Sequence, residues 1–141
     1  MMNPNEIFLP VLTMFLLTML VWVYLFAKRI PFINENFVDE EITSQALQER
    51  SPPDVSNPSD NLKNLFELPV IFYAVVLAIF TLGLVDPTYL ITAWVFAIFR
   101  VLHSLIHCTF NHVMARFGMY LVASAALWFM VIRMAYQLVA G

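Results

Sequence analysis

Ile98–Tyr120, IFRVLHSLIHCTFNHVMARFGMY, sets Arg100, His103 and His107 inside a run that otherwise reads as a membrane-spanning helix. Charge at that depth costs from roughly 3 kcal/mol on insertion scales to ~10 kcal/mol on an isolated helix, so an intramembrane arginine must face protein or trapped water. A partner therefore belongs on a neighbouring helix. The other polar intrusion, Lys63-Asn64-Leu65-Phe66-Glu67, is the candidate, and the rest of the chain reads as a frame that brings the two stretches together.

The composition agrees with a membrane setting. Of 141 residues, 61% are hydrophobic and 12% charged, with a mean hydropathy of +0.78, far from the soluble average of about a quarter charged. The length suits one domain. A net charge of −3 with no basic stripe excludes nucleic acid as a partner, and Cys108 as the only cysteine excludes an intrachain disulfide. The apolar N-terminus lacks a basic leader and a small-x-small cleavage site, so it is expected to stay as a span.

Working outward, four spans are expected, at about 7–27, 62–85, 89–110 and 118–139, each near the ~20 residues that cross ~30 Å of hydrocarbon. Trp22 and Tyr24 mark one interface and Lys28-Arg29 stop the first span. The 28–61 stretch, with Pro31, Pro52, Pro53, Pro58 and an acidic group at Asp39, Glu40, Glu41 and Glu49, reads as a polar loop containing a short helix over 38–48. It is either a solvated connector or a lid over a site on that membrane face. Pro69 predicts a kink in the second span by leaving the Leu65 carbonyl without its donor. The Gly83–Thr88 turn makes the second and third spans an antiparallel hairpin, Asn111–Arg116 reads as a short polar turn, and Ala123, Ser124, Ala125 and Ala126 offer a small-residue face for close helix contact.

Lys28, Arg29, Arg50, Lys63 and Arg116 fall on the side of the first and third loops, whereas Glu6, Asp86 and Arg133 lie on the other. The positive-inside rule then expects both loops in the cytoplasm and both termini across the membrane.

Positions 100, 103 and 107 share one helical face, and 63, 64 and 67 share another at overlapping depth. Glu67 is expected to pair with Arg100 or His103, and Asn64 to bond His107. Arg116 and Tyr120 stand at the cytoplasmic mouth, four residues apart. Three readings stay open. The residues line a pocket for a small anionic ligand, whose carboxylates suit the arginine fork; or they glue helices together; or His103 and His107 chelate a metal with Glu67 or His112, a reading that the adjacent Arg100 cation opposes, so no metal ligand is assigned. Cys108 is expected to pack, and Arg133 to snorkel as an interface anchor.

With these residues in place the chain resembles the MAPEG superfamily, the membrane-associated proteins of eicosanoid and glutathione metabolism. The likeness covers most of the chain and rests on four spans, a long first loop and two motifs. The basic-Asn-x-x-Glu start of the second span is present as Lys63-Asn64-Leu65-Phe66-Glu67. The Arg-x-x-His-x-x-x-Tyr of the prostaglandin E synthase branch is present as Arg100-Val101-Leu102-His103, with His107 in the tyrosine's place, and Arg116 and Tyr120 match the later arginine and tyrosine.

The resemblance implies an all-α integral membrane four-helix bundle that assembles as a homotrimer and binds glutathione as co-substrate between subunits near the cytoplasmic face. Arg116 would steady the thiolate as the catalytic residue; Lys63, Asn64, Glu67, Arg100, His103, His107 and Tyr120 would hold the peptide. The implied activity is a glutathione-dependent transferase or peroxidase acting on a small hydrophobic electrophile that arrives through membrane lipid. A member of bacterial type would sit in the inner membrane. The chain departs from the family pattern at Asp60, where an arginine is common, at Phe117 in place of a serine, at His107 and at Lys63. The superfamily also holds a non-catalytic lipid-presenting member, so a lipid-binding or scaffold trimer is the alternative.

Overall fold

In a computed structural model, described for residues 3–38 and 41–140, every regular element among the described residues is helical. Four helices are long and apolar enough to cross a membrane: Pro4–Asn36, Pro53–Thr81, Pro87–Cys108 and Val113–Ala140. The first comprises a 3₁₀ turn, started by the Asn3 side chain accepting from the Asn5 amide at 3.1 Å, followed by α1 (Phe8–Asn36). After it come α2 (Ser44–Arg50) and α3 (Pro53–Leu65), then α4 (Leu68–Thr81), α5 (Pro87–Cys108) and α6 (Val113–Ala140).

The expected 28–61 loop is therefore mostly helix. Lys28 and Arg29 end the apolar run but leave the backbone helical, since cations mark the edge of the hydrocarbon and do not break a helix. α1 continues to Asn36 because α3 lies alongside: Lys28 meets Asp54 at 3.3 Å, and Arg29 donates to Ser59 at 2.8 Å. The short helix starts at Ser44, where Thr43 Oγ1 accepts from the Ala46 amide. Asp39 and Glu40, part of the acidic group, lie outside the described residues.

The expected kink at Pro69 is a full break one turn earlier. α3 closes at Leu65, Glu67 adopts ψ −106, and α4 restarts with Pro69 in its first turn. Gly83, at φ +68, turns the chain back with its amide on the Phe80 carbonyl. Asp86 then caps α5 by accepting from the Tyr89 amide at 3.0 Å. At the other end Asn111, at φ 45, closes α5 onto the Ile106 carbonyl. His112 Nδ1 accepts from the Ala115 amide, so α6 begins five residues before the expected Gly118.

The core is apolar and continuous: Met14, Phe72, Val76, Ile79, Phe96, Leu127 and Met130 are buried, with Phe72 and Phe96 stacked at 4.2 Å. Ala123 and Ala126 face this core, whereas Ala125 is exposed, so the small-residue face is narrower than expected. Leu16, Leu20, Ile91, Leu105, Trp128 and Ile132 point outward, as side chains solvated by lipid must.

Candidate functional site

Arg100 has no solvent exposure at all. Its Nη2 donates to the backbone carbonyl of Asn64 at 2.7 Å, and the helix break explains why that carbonyl is available. α3 stops at Leu65, so the guanidinium takes the place of the next turn, a cation at the negative end of a helix. Nε and Nη1 of Arg100 are buried with no partner. The guanidinium carbon lies 5.8 Å from the Tyr120 ring centre.

One turn on, His103 Nδ1 lies 3.0 Å from the Arg116 carbonyl. A carbonyl only accepts, so Nδ1 carries the proton, and Nε2, buried and unpaired, presents a lone pair in the neutral ring. His107 sits edge-on to His103, 5.7 Å between ring centres, with its own Nδ1 buried and unpaired. Arg116 is aimed by Asn111, which accepts from Nη1 at 2.7 Å and in turn donates to Asn57 at 3.0 Å. Asn64, His103, Arg116, Phe117 and Tyr120 line a cavity of about 240 Å³ between the end of α3 and the start of α6. Arg100 and His107 stand behind His103 on the same face of α5.

Residues 7–136 match the family model described as the MAPEG family. The chain belongs to the MAPEG family. It is thereby a membrane protein of the glutathione and eicosanoid metabolism superfamily. No curated protein and no solved structure matches it.

The structure brings five of the expected site residues of this MAPEG chain together: Asn64, Arg100, His103, Arg116 and Tyr120. His107 joins them by its ring contact with His103. Two expectations are corrected. Glu67 makes no ion pair with Arg100 or His103; it lies exposed in the break, where the non-helical backbone swings it out of line with Asn64, and its charge acts on Arg100 only through space. Asn64 does not bond His107, because its side-chain amide turns back to the Asp60 carbonyl at 3.1 Å. Lys63 is exposed and tied to Asp60 at 2.9 Å, in a different cavity.

Among the described residues no group of three or more His, Cys, Asp or Glu is gathered as for a metal, and the His112 ring is occupied in capping α6. Cys108 packs, as expected, while accepting at 3.4 Å from the Asn61 amide, whose oxygen receives the Ser104 hydroxyl at 3.2 Å.

Arg133 does not snorkel. It forms a two-pronged pair with Asp86, Nη1–Oδ1 at 3.0 Å and Nη2–Oδ2 at 2.5 Å, and lies 4.3 Å over the Tyr89 ring. The residues missed by sequence reasoning are Asn57, Asn61, Ser104 and Asn111. A signal existed for two of them: Asn57, Asn61 and Asn64 recur at i, i+4 and i+7, a polar stripe on one face of α3.

Proposed function

We propose that this MAPEG chain binds glutathione in the cavity between α3, α5 and α6 and uses its thiolate against hydrophobic electrophiles that enter from the bilayer. The observation that carries the reading is Arg100, a wholly buried cation with two of its three nitrogens unpaired. Leaving such donors empty is costly, and a carboxylate of a small peptide that enters past His103, which stands between them and the cavity, satisfies them with charge-assisted bonds.

The chemistry then follows from the neighbours. A free thiol near neutral pH is mostly protonated, and a fixed cation beside it favours the thiolate. Arg116, held by Asn111, supplies that cation at the mouth, while Tyr120 and His103 Nε2 offer a donor and an acceptor along the peptide. In a transferase step the thiol proton leaves to solvent, the sulfur bonds to the electrophilic carbon, and the leaving group departs or the ring opens. In a peroxidase step two thiols reduce a hydroperoxide to alcohol and water and end as a disulfide. The exposed Met114 and Phe117 of the cavity favour closure of the site by a neighbouring subunit of a homotrimer, with the site opening to the cytoplasm. Lys63 would reach the peptide only by leaving Asp60.

The test is a glutathione titration of the detergent-solubilised protein, read by thiolate absorbance and by thermal stabilisation. The expected result is saturable stabilisation with a thiolate signal, lost in Arg116→Ala and Arg100→Ala. Stabilisation without thiolate assigns binding but no activation. No response at millimolar glutathione sinks the proposal in favour of a non-catalytic lipid-binding or scaffold protein.

A further inference from the structure

On the opposite side of α3 two cavities follow one another along the seam between α1 and α3. The outer one, about 270 Å³, is polar: Arg29, Ser44, Ser56, Ser59, Asp60 and Lys63 line it. Asp60 is engaged by Lys63, so the surplus charge is the Arg29 guanidinium, whose Nη2 donates to Ser59 and whose Nε is buried without a partner. The inner one, about 470 Å³, is an apolar groove bounded by Phe15, Met19 and Trp22 of α1, Leu62 of α3, Phe66 just beyond it, and Tyr73 of α4.

Phe15, Trp22 and Arg29 recur every seven residues and so lie on one stripe of α1, and Leu62 and Lys63 are adjacent on α3. At ~1.5 Å per residue the stripe from Phe15 to Arg29 is ~21 Å long. That is the depth of one leaflet with its headgroup, half of the ~40–45 Å bilayer. Cation and hydroxyls at one end and hydrocarbon at the other match a single lipid lying along α1.

We propose that this seam is a binding site for an anionic phospholipid of the leaflet on the first-loop side, its phosphodiester on Arg29 and the serine hydroxyls and one acyl chain in the groove beside Trp22. An arginine fork suits a phosphate better than a point charge does, and basic pockets between membrane helices are where anionic headgroups are held. The site lies across α3 from the glutathione cavity and does not rest on that reading.

The experiment is native mass spectrometry of the full chain released from nanodiscs containing equal phosphatidylglycerol and phosphatidylcholine. The wild type is expected to retain phosphatidylglycerol about fivefold or more over phosphatidylcholine, the factor that one well-placed cation supplies. Arg29→Gln removes the preference, Met19→Trp fills the groove and removes retention of both lipids, and Lys28→Gln, whose lysine pairs with Asp54 outside the cavity, leaves the preference in place. Equal retention by wild type, or equal losses in Lys28→Gln and Arg29→Gln, overturns the proposal. So does a Met19→Trp variant that changes oligomeric state with lipid retention intact, because the groove would then be covered by a second copy of the chain.

Discussion

Two arginines of the α5–α6 pair, Arg133 and Arg100, are placed in opposite ways. Arg133, near the C-terminal end of α6, has its needs met: a carboxylate takes both prongs of its fork and the Tyr89 ring lies beneath it, while Tyr89 itself donates to Gln137 at 2.6 Å. Its side chain keeps 25% exposure, enough to relieve desolvation. Arg100 is entirely buried and donates to a single carbonyl. A satisfied arginine holds a fold together, whereas an unsatisfied one stores an affinity for an anion. On the proposed reading, that difference marks Arg133 as a clamp and Arg100 as part of a binding site.

The sharpest way to break this comparison is to remove each arginine in turn. Arg100→Leu should lower glutathione affinity about 10- to 100-fold, since a bond to a charged group contributes about 1.5–3 kcal/mol. Its thermal midpoint without ligand should stay level or rise, because a buried unpaired charge is replaced by packing. Arg133→Leu should do the reverse: a loss of about 1–2 kcal/mol, discounted for the partial exposure of the pair, read as a midpoint lowered by several degrees, with affinity unchanged. A matching loss of stability in both variants would erase the distinction.

A smaller effect tests the clamp by pH. Arg133, by hydrogen bonding to it, holds the Asp86 carboxyl below its ordinary range. A depressed folded value gives stability that is fully present above the unfolded pKa of ~3.9 and is lost as pH falls through the folded value. Thermal midpoints should therefore be level from pH 7 to about 5 and decline below about 4, and Asp86→Asn should remove that part of the decline while lowering the plateau. The smallest expected change belongs to Pro69→Ala. Restoring a donor for the Leu65 carbonyl favours a continuous α3–α4 helix, which takes the Asn64 carbonyl from Arg100; a few-fold shift in glutathione affinity by titration would register it.

Much of this was legible in the residues. The 100, 103, 107 face read correctly because a helix buried on one side has a strict period, and all three side chains are buried together. The four spans were legible from hydropathy, and membership of the MAPEG family from motif order. Glu67 is not legible in the same way, because an unbroken helix would carry it one turn below Asn64, whereas two residues outside helical geometry turn its side chain away. The pair of Asp86 with Arg133 was hidden by its separation of 47 residues. It becomes visible only once α5 and α6 are laid antiparallel, which sets the start of one beside the end of the other. The reach of α1 to Asn36 is hidden in the sequence because Lys28 and Arg29 end the apolar run without ending the helix.

The Asp86–Arg133 contact also has a mechanical meaning. α5 and α6 are joined by chain at Thr109–His112 and by the ion pair at their far ends, so together they form a closed frame that resists splaying. α3 is bonded to this frame through side chains, Asn57 to Asn111, Asn61 to Ser104 and the Asn64 carbonyl to Arg100, and it meets α4 through the non-helical joint at Phe66–Glu67. The α5 and α6 walls of the cavity are thereby held at both ends, so their separation is set by the frame and not by the helices around it.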